Sequence, residues 1–186
     1  WQFHSWNLAY NISAMISDPA ERWRWVRSGI ELLQNHGLSY NPEAAGICHA
    51  IGWMYQHKIG GYMDTAHLFY KKKVASDITL ITGANGRFDY SFFEINEIQG
   101  KEKAGILEYY GLKPAIMKEV EREFGPLDWR IPETHSIYWA WRGMQNARDN
   151  DLLVCHRMII QNLSELFRSG HLNYDPGTGN YIRTPD

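Results

Sequence analysis

The sequence predicts an all-α protein, and three observations carry that prediction. Apolar residues recur at intervals of three and four along several stretches, as in Trp23, Val26, Ile30 and Leu33. Helix starts and stops bracket those stretches in chain order. A string near the N-terminus, 31–42, also reappears near the C-terminus as 165–176, which points to a repeated helical unit.

The elements follow from local chemistry. Asp18-Pro19-Ala20-Glu21 reads as a helix start: Asp accepts from orphan amides, Pro suits the first turn, and Glu sits near the positive end of the dipole. Gly37 offers a stop, and Asn41-Pro42-Glu43 opens a second helix running to about His57. Gly60-Gly61 breaks the chain, and Asp64 caps a further run containing Ala66, Phe69 and Tyr70. Ile116, Val120 and Phe124 line a short helix ending at Gly125-Pro126. Leu153 through Ile160, Leu163 and Phe167 form a long amphipathic helix stopped by Gly170.

Composition narrows the class. The chain has 186 residues, 44% of them hydrophobic and 14% aromatic, which is enough for a sizeable core and excludes low-complexity disorder. Lys plus Arg number 19 against 21 Asp plus Glu, so the basic excess of a phosphate-neutralising nucleic-acid binder is missing. No apolar stretch approaches the roughly 20 residues that cross a bilayer, so direct membrane insertion is not expected. The chain opens at Trp1, which suggests a piece of something longer. Cys48-His49 and Cys155-His156 invite a zinc reading, but adjacent helical residues diverge by about 100° and no CxxC or HxxxH supports them. Two small buried thiols and no metal are the expectation. The compartment is left undetermined.

The repeat is read as follows. Glu31-Leu32-Leu33 through Tyr40-Asn41-Pro42 aligns with Glu165-Leu166-Phe167 through Tyr174-Asp175-Pro176. Upstream of each copy stands a similar opener, His4-Ser5 with Leu8-Ala9-Tyr10 and His135-Ser136 with Trp139-Ala140-Trp141. Units of about forty residues are typical of helical-pair repeats. A single domain over 1–186 results, with helix pairs at about 4–37, 42–76 and 134–170 and a partly irregular insertion at about 77–133.

Residues 41–75 resemble the tetratricopeptide (TPR) repeat. Asn41-Pro42 precedes the first helix, Ile51-Gly52 takes the large-then-small position, Tyr55 follows, and Ala66 and Tyr70 take the small and aromatic positions of the second helix. Residues 4–42 fit with Trp6, Ala9, Tyr10, Gly29 and Leu33, and 135–170 fit loosely. The strings Ser5-Trp6-Asn7-Leu8-Ala9-Tyr10-Asn11, Gln56-His57-Lys58, Met117-Lys118-Glu119-Val120 and Gly125-Pro126-Leu127-Asp128-Trp129-Arg130 are similar to a family of uncharacterised bacterial TPR-like proteins. That resemblance implies an α-solenoid fold, an internal fragment that stacks on flanking repeats, and a parent protein with a hydrophobic N-terminal anchor. It supplies no catalytic residues.

Several motifs invite chemistry and are set aside. Leu80-Ile81-Thr82-Gly83-Ala84-Asn85-Gly86-Arg87, with Tyr109-x-x-x-Lys113, mimics a short-chain dehydrogenase. Phe88 stands where a small residue is needed, and no strand–helix series surrounds the turn, so a plain turn is expected and no cofactor. The eight histidines show no metal spacing. Glu119 and Glu123 lie one turn apart on a solvated face. The triplets at Asn11 and Asn162 fall inside predicted helices, so glycosylation is not expected. No nucleophile turn is present, and no catalytic residue is assigned.

A concave groove remains. The resemblance places His4, Asn7 and Asn11 from the first unit there, His49, Trp53, Gln56 and His57 from the second, and Trp141 and Gln145 from the third. Asn and Gln can bond a peptide backbone, and Trp offers a large face at low entropy cost. Trp53 and Trp141 fit the core equally well. The expected function is a non-enzymatic scaffold for a protein or peptide. Two alternatives stand beside it. One is a hydrolase or small-ligand site using histidines with Glu94 or Glu97 where the insertion covers the groove. The other is a purely structural segment of a longer solenoid.

Overall fold

The computed structural model describes residues 1–91 and 97–184, with residues 97–102 as backbone alone. Helices α1 (Gln2–Trp6), α2 (Pro19–Glu31), α3 (Leu38–Tyr40) and α4 (Ala45–Trp53) form the first half, followed by α5 (His67–Thr82). Wider π-helical segments extend three of them: π1 (Asn7–Ile12) after α1, π2 (Leu32–Gly37) after α2, and π3 (Met54–Ile59) after α4. The second half comprises α6 (Glu97–Tyr110), α7 (Pro114–Phe124), α8 (Pro132–Met144) and α9 (Asp149–Ser169). An antiparallel hairpin follows, β1 (His171–Asp175) with β2 (Asn180–Thr184), in which Tyr174 faces Tyr181.

Most boundaries have visible causes. The Asp18 carboxylate accepts from the Glu21 amide at 2.8 Å, and prolines occupy the first turns of α2, α7 and α8. Gly125 and Gly170 end α7 and α9 at φ of 85° and 70°. Three boundaries differ from expectation. The second helix starts at Ala45 because residues 42–44 are taken up by a turn. The first pair runs through Gly37 to Tyr40, carried by the wider π2 turn. And α5 continues to Thr82, since Val74, Ile78 and Ile81 stay on its buried face.

Helix α8 is the axis of the core. Every residue from Trp129 to Ala140 is buried, and α4 and α9 pack along it. Close approach is set by small residues. A Cβ on Gly52 of α4 would meet Met158 Sδ at 2.7 Å and Ser136 O at 3.2 Å. A Cβ on Gly29 of α2 would meet Ser5 O at 2.8 Å and Ala9 Cβ at 3.0 Å. Gly29 and Gly52 are therefore helix-crossing points, Gly52 against α8 and α9 rather than against the helix that follows it in its own predicted pair.

The insertion is anchored to the side of this core by polar contacts. The buried Arg27 guanidinium donates to the Tyr109 carbonyl and lies 4.1 Å from the Tyr109 ring centre. Tyr110 donates to Asp77 at 2.8 Å and Tyr138 to Gly111 O at 3.0 Å. Glu121 accepts from Tyr90, Trp129 Nε1 and the Leu127 amide, while Glu119 and Glu123 are solvent-exposed. Phe92 and Phe93 lie outside the described residues.

The sequence repeat does not reproduce as a structural one at its C-terminal copy. Leu38-Ser39-Tyr40 is helical, whereas the aligned Leu172-Asn173-Tyr174 is a strand paired with β2. The hairpin is thus an addition to the helical fold that the all-α expectation did not contain.

Candidate functional site

Helices α1 and α4 flank an open groove of about 570 Å³. Gln2, Phe3 and Trp6 form one wall, and His49, Ala50 and Trp53 form the other. Residues 46, 49, 50 and 53 recur at three, four and seven, so α4 presents one continuous strip to the groove. Its opposite strip, with Ile47, Cys48, Ile51 and Gly52, is buried. Phe3 is 77% exposed and Trp6 is 44% exposed, although both are large and apolar. Among the described residues, no carboxylate, lysine or arginine lines the groove.

The π segments adjoin at one end of it. Trp6 stacks on Tyr10 with centroids 3.8 Å apart, and Trp53 stacks on His57 at 5.1 Å. Tyr10 OH and His57 Nδ1 are 3.4 Å apart, so π1 and π3 are joined there. Both rings border a second depression with Arg22, Lys58 and Asp64. Asp64 there takes Lys58 Nζ at 2.6 Å and Arg22 Nη1 at 2.8 Å, all three side chains being largely buried. Despite burial, these donors and the Ala66 amide hold the Asp64 carboxyl below its usual range.

Of the residues expected at the groove, His49 and Trp53 line it, and His57 stands at its end. His4 is exposed against the Phe3 edge, while Asn11 Nδ2 donates to Asn7 Oδ1 at 2.8 Å, so these amides engage each other. Gln56 turns toward α9 and bonds Gln161 at 3.1 Å. Trp141 packs edge-on against Phe124 of α7, and Gln145 is exposed just beyond α8. Phe3 was not anticipated, and Trp6 was read only as an opener. Their signal was spacing: residues 3 and 6 lie one turn apart, and the aromatic content of that turn exceeds what one short helix can bury.

Among the described residues lining the groove, His49 is the titratable one, and its pKa is lowered by burial, with Asp151 acting the other way. His135 is sequestered in the core: Nε2 meets Trp129 O at 2.8 Å and burial takes its pKa down to about 4. Cys48 and Cys155 are buried and free, and both approach Gly143. Burial pushes each thiol up to about 11. Among the described residues, no group of three His, Cys, Asp or Glu side chains is placed to hold a metal. None of the described helices is long and apolar enough to cross a membrane.

The segment resembling a dinucleotide turn is the end of α5 followed by Gly83 and Gly86 at positive φ. Gly86 O accepts from the Trp129 amide at 3.0 Å, which ties the turn to the core. The sheet found among the described residues is the antiparallel hairpin. Asn162 is buried, donating to Met158 O and Ser136 Oγ, which leaves its side chain no room for a glycan. Glu94 lies outside the described residues, as does the side chain of Glu97. No protein-family model, curated protein or solved structure matches the chain.

Proposed function

We propose that the chain is a non-enzymatic, TPR-like scaffold whose α1–α4 groove binds an apolar segment of a protein or peptide. The observation that carries this reading is a groove of about 570 Å³ walled by Phe3, Trp6, Trp53 and His49, with no formally charged side chain among the described residues that line it. Exposed aromatic rings of this size cost solvation in the free protein, and a partner covering them recovers it. The π turns at the groove's end add weight, since such turns collect at functional positions. The described residues that line the groove all come from the N-terminal half, Gln2 to Met54.

The test is a peptide selected on the immobilised protein by display and measured by fluorescence anisotropy. Ala50→Arg places a long cation in the groove without removing core atoms. It should weaken the peptide more than tenfold at unchanged melting temperature. Equal affinity would refute the groove.

A second reading has its own observation. Leu153, Ile160 and Phe167 recur every seven residues along α9, and all are exposed, Phe167 by 90%. A stripe at that spacing suits another helix stacked on α9 in a longer array. On this reading Ile160→Lys with Phe167→Glu leaves the fold intact and abolishes docking of an added C-terminal helical repeat.

A further inference from the structure

A cavity of about 380 Å³ lies beneath the C-terminal hairpin, between α5 and the start of α8. Its roof is tied down at three points. Tyr181 OH lies 3.2 Å from Thr79 Oγ1, Arg130 Nη2 donates to Leu172 O at 2.8 Å, and Arg183 pairs with Glu133 at 2.9 Å. Leu68, Ile131, Pro132 and Leu172 give it apolar walls.

Four cations and one acid line this space: Lys71, Lys72, Arg130 and Arg183 against Glu133. Arg130 places four of its five N–H donors on Asp128 and on the carbonyls of Ala84 and Leu172, with Asp128 balancing its charge. Arg183 and Glu133 neutralise each other. Lys71 is different. Its ammonium rests 4.3 Å from the Tyr62 ring centre and 3.4 Å from His67 Nδ1, and no carboxylate among the described residues is paired with it. An ammonium has three donors, and the ring nitrogen takes one. Burial lowers the Lys71 pKa, Arg183 adds to that, and the more distant charges of Glu133 and Glu165 oppose it only in part.

We propose that this cavity binds a small organic acid, its carboxylate paired with the Lys71 ammonium and its apolar body lying along Leu68, Ile131 and Leu172. Lys72 also lines the cavity but is solvent-exposed, so Lys71 is the one uncompensated cation in its more enclosed part, and a monocarboxylate matches it. A phosphate dianion would instead face the Glu133 carboxylate with too little positive charge to offset it. At roughly 30 Å³ per water-sized group, the volume suits a ligand of about a dozen non-hydrogen atoms.

The experiment titrates the folded protein with 4-phenylbutyrate and with its neutral counterpart 4-phenylbutanol, following backbone amides by NMR. The acid should bind at least tenfold tighter, with shifts centred on Ile131, Leu172 and Tyr181. Lys71→Met should abolish that preference, and Leu172→Trp, which fills the cavity from its roof, should abolish binding of both compounds. Ala50→Arg, in the α1–α4 groove, should change neither, which separates this site from the peptide groove. An acetylated apolar tripeptide with a free C-terminus, run in parallel, distinguishes a chain end from a free acid as the source of the carboxylate. Equal binding of acid and alcohol, a preference that survives Lys71→Met, shifts confined to the α1–α4 groove, or no binding by 20 mM (about a hundredfold above a useful affinity) would each overturn the proposal.

Discussion

Gly29→Ala and Gly105→Ala are the same substitution on two helices, and they should change stability in opposite directions. At Gly29 the new methyl would stand 2.8 Å from Ser5 O, 3.0 Å from Ala9 Cβ and 3.3 Å from Ala9 N. Two of those atoms are backbone, so α1 and π1 must move as a unit, which also strains the 2.6 Å bond from Ser5 Oγ to Gly29 O. Overpacking of this kind costs about 1–3 kcal/mol, and the weakened hydrogen bond about 1. Against that stands a gain of about 1 kcal/mol from replacing glycine inside a helix. The net is a loss of about 2 kcal/mol, or about 4–8 °C in melting temperature for a chain of this size. At Gly105 nothing among the described residues lies within 4 Å, so the propensity gain is left alone. Urea unfolding measures both, and an unchanged slope establishes that the midpoint shift reports stability. If Gly29→Ala is neutral or stabilising, α1 and α2 do not cross where the structure has them.

Three further outcomes follow from buried groups. His135 has a folded-state pKa near 4 against an ordinary value of 6.5, so the unfolded chain binds the extra proton between those limits. Stability should therefore be fully present above pH 6.5 and fall by about 3 kcal/mol as pH drops to 4, a slope that His135→Gln removes. Asp64→Asn leaves Lys58 and Arg22 without their carboxylate in a nearly dry site and should cost about 3–5 kcal/mol in denaturant titrations, far more than an exposed pair such as Arg24–Glu21. A thiol reagent at pH 7.5 should label Cys48 and Cys155 only at the rate of opening, because both are buried and their pKa values are near 11. Rapid labelling of the native protein would contradict this.

Helices were legible where a local signal sufficed. Asp18, Gly125 and Gly170 act as read, and the small positions Gly29 and Gly52 lie at helix crossings. The hairpin was not legible from the aligned string, because the state of Leu172–Tyr174 is decided outside it. Asn180–Thr184 supplies the partner strand, and Gly179, at φ 66°, closes the turn by donating to Asp175 O at 2.8 Å. In 31–42 no such partner strand follows among the described residues, and the chain stays helical through π2 and α3 to Tyr40. The groove was half legible for a related reason. Periodicity on α4 separates its buried strip from the strip that holds His49 and Trp53. It cannot tell which neighbouring helix stands opposite, and therefore missed Phe3. Gln56 and Trp141 were diverted by partners distant in sequence, Gln161 and Phe124.

The most direct measurement is an NMR titration of the tryptophan indole signals with the display-selected peptide. The Trp6 and Trp53 resonances should move together with the His49 amide, while those of the fully buried Trp129 and Trp139 stay in place. If Trp6 and Trp53 are unmoved while a saturating peptide shifts signals around α9 or the hairpin, the α1–α4 groove is not where this protein meets its partner.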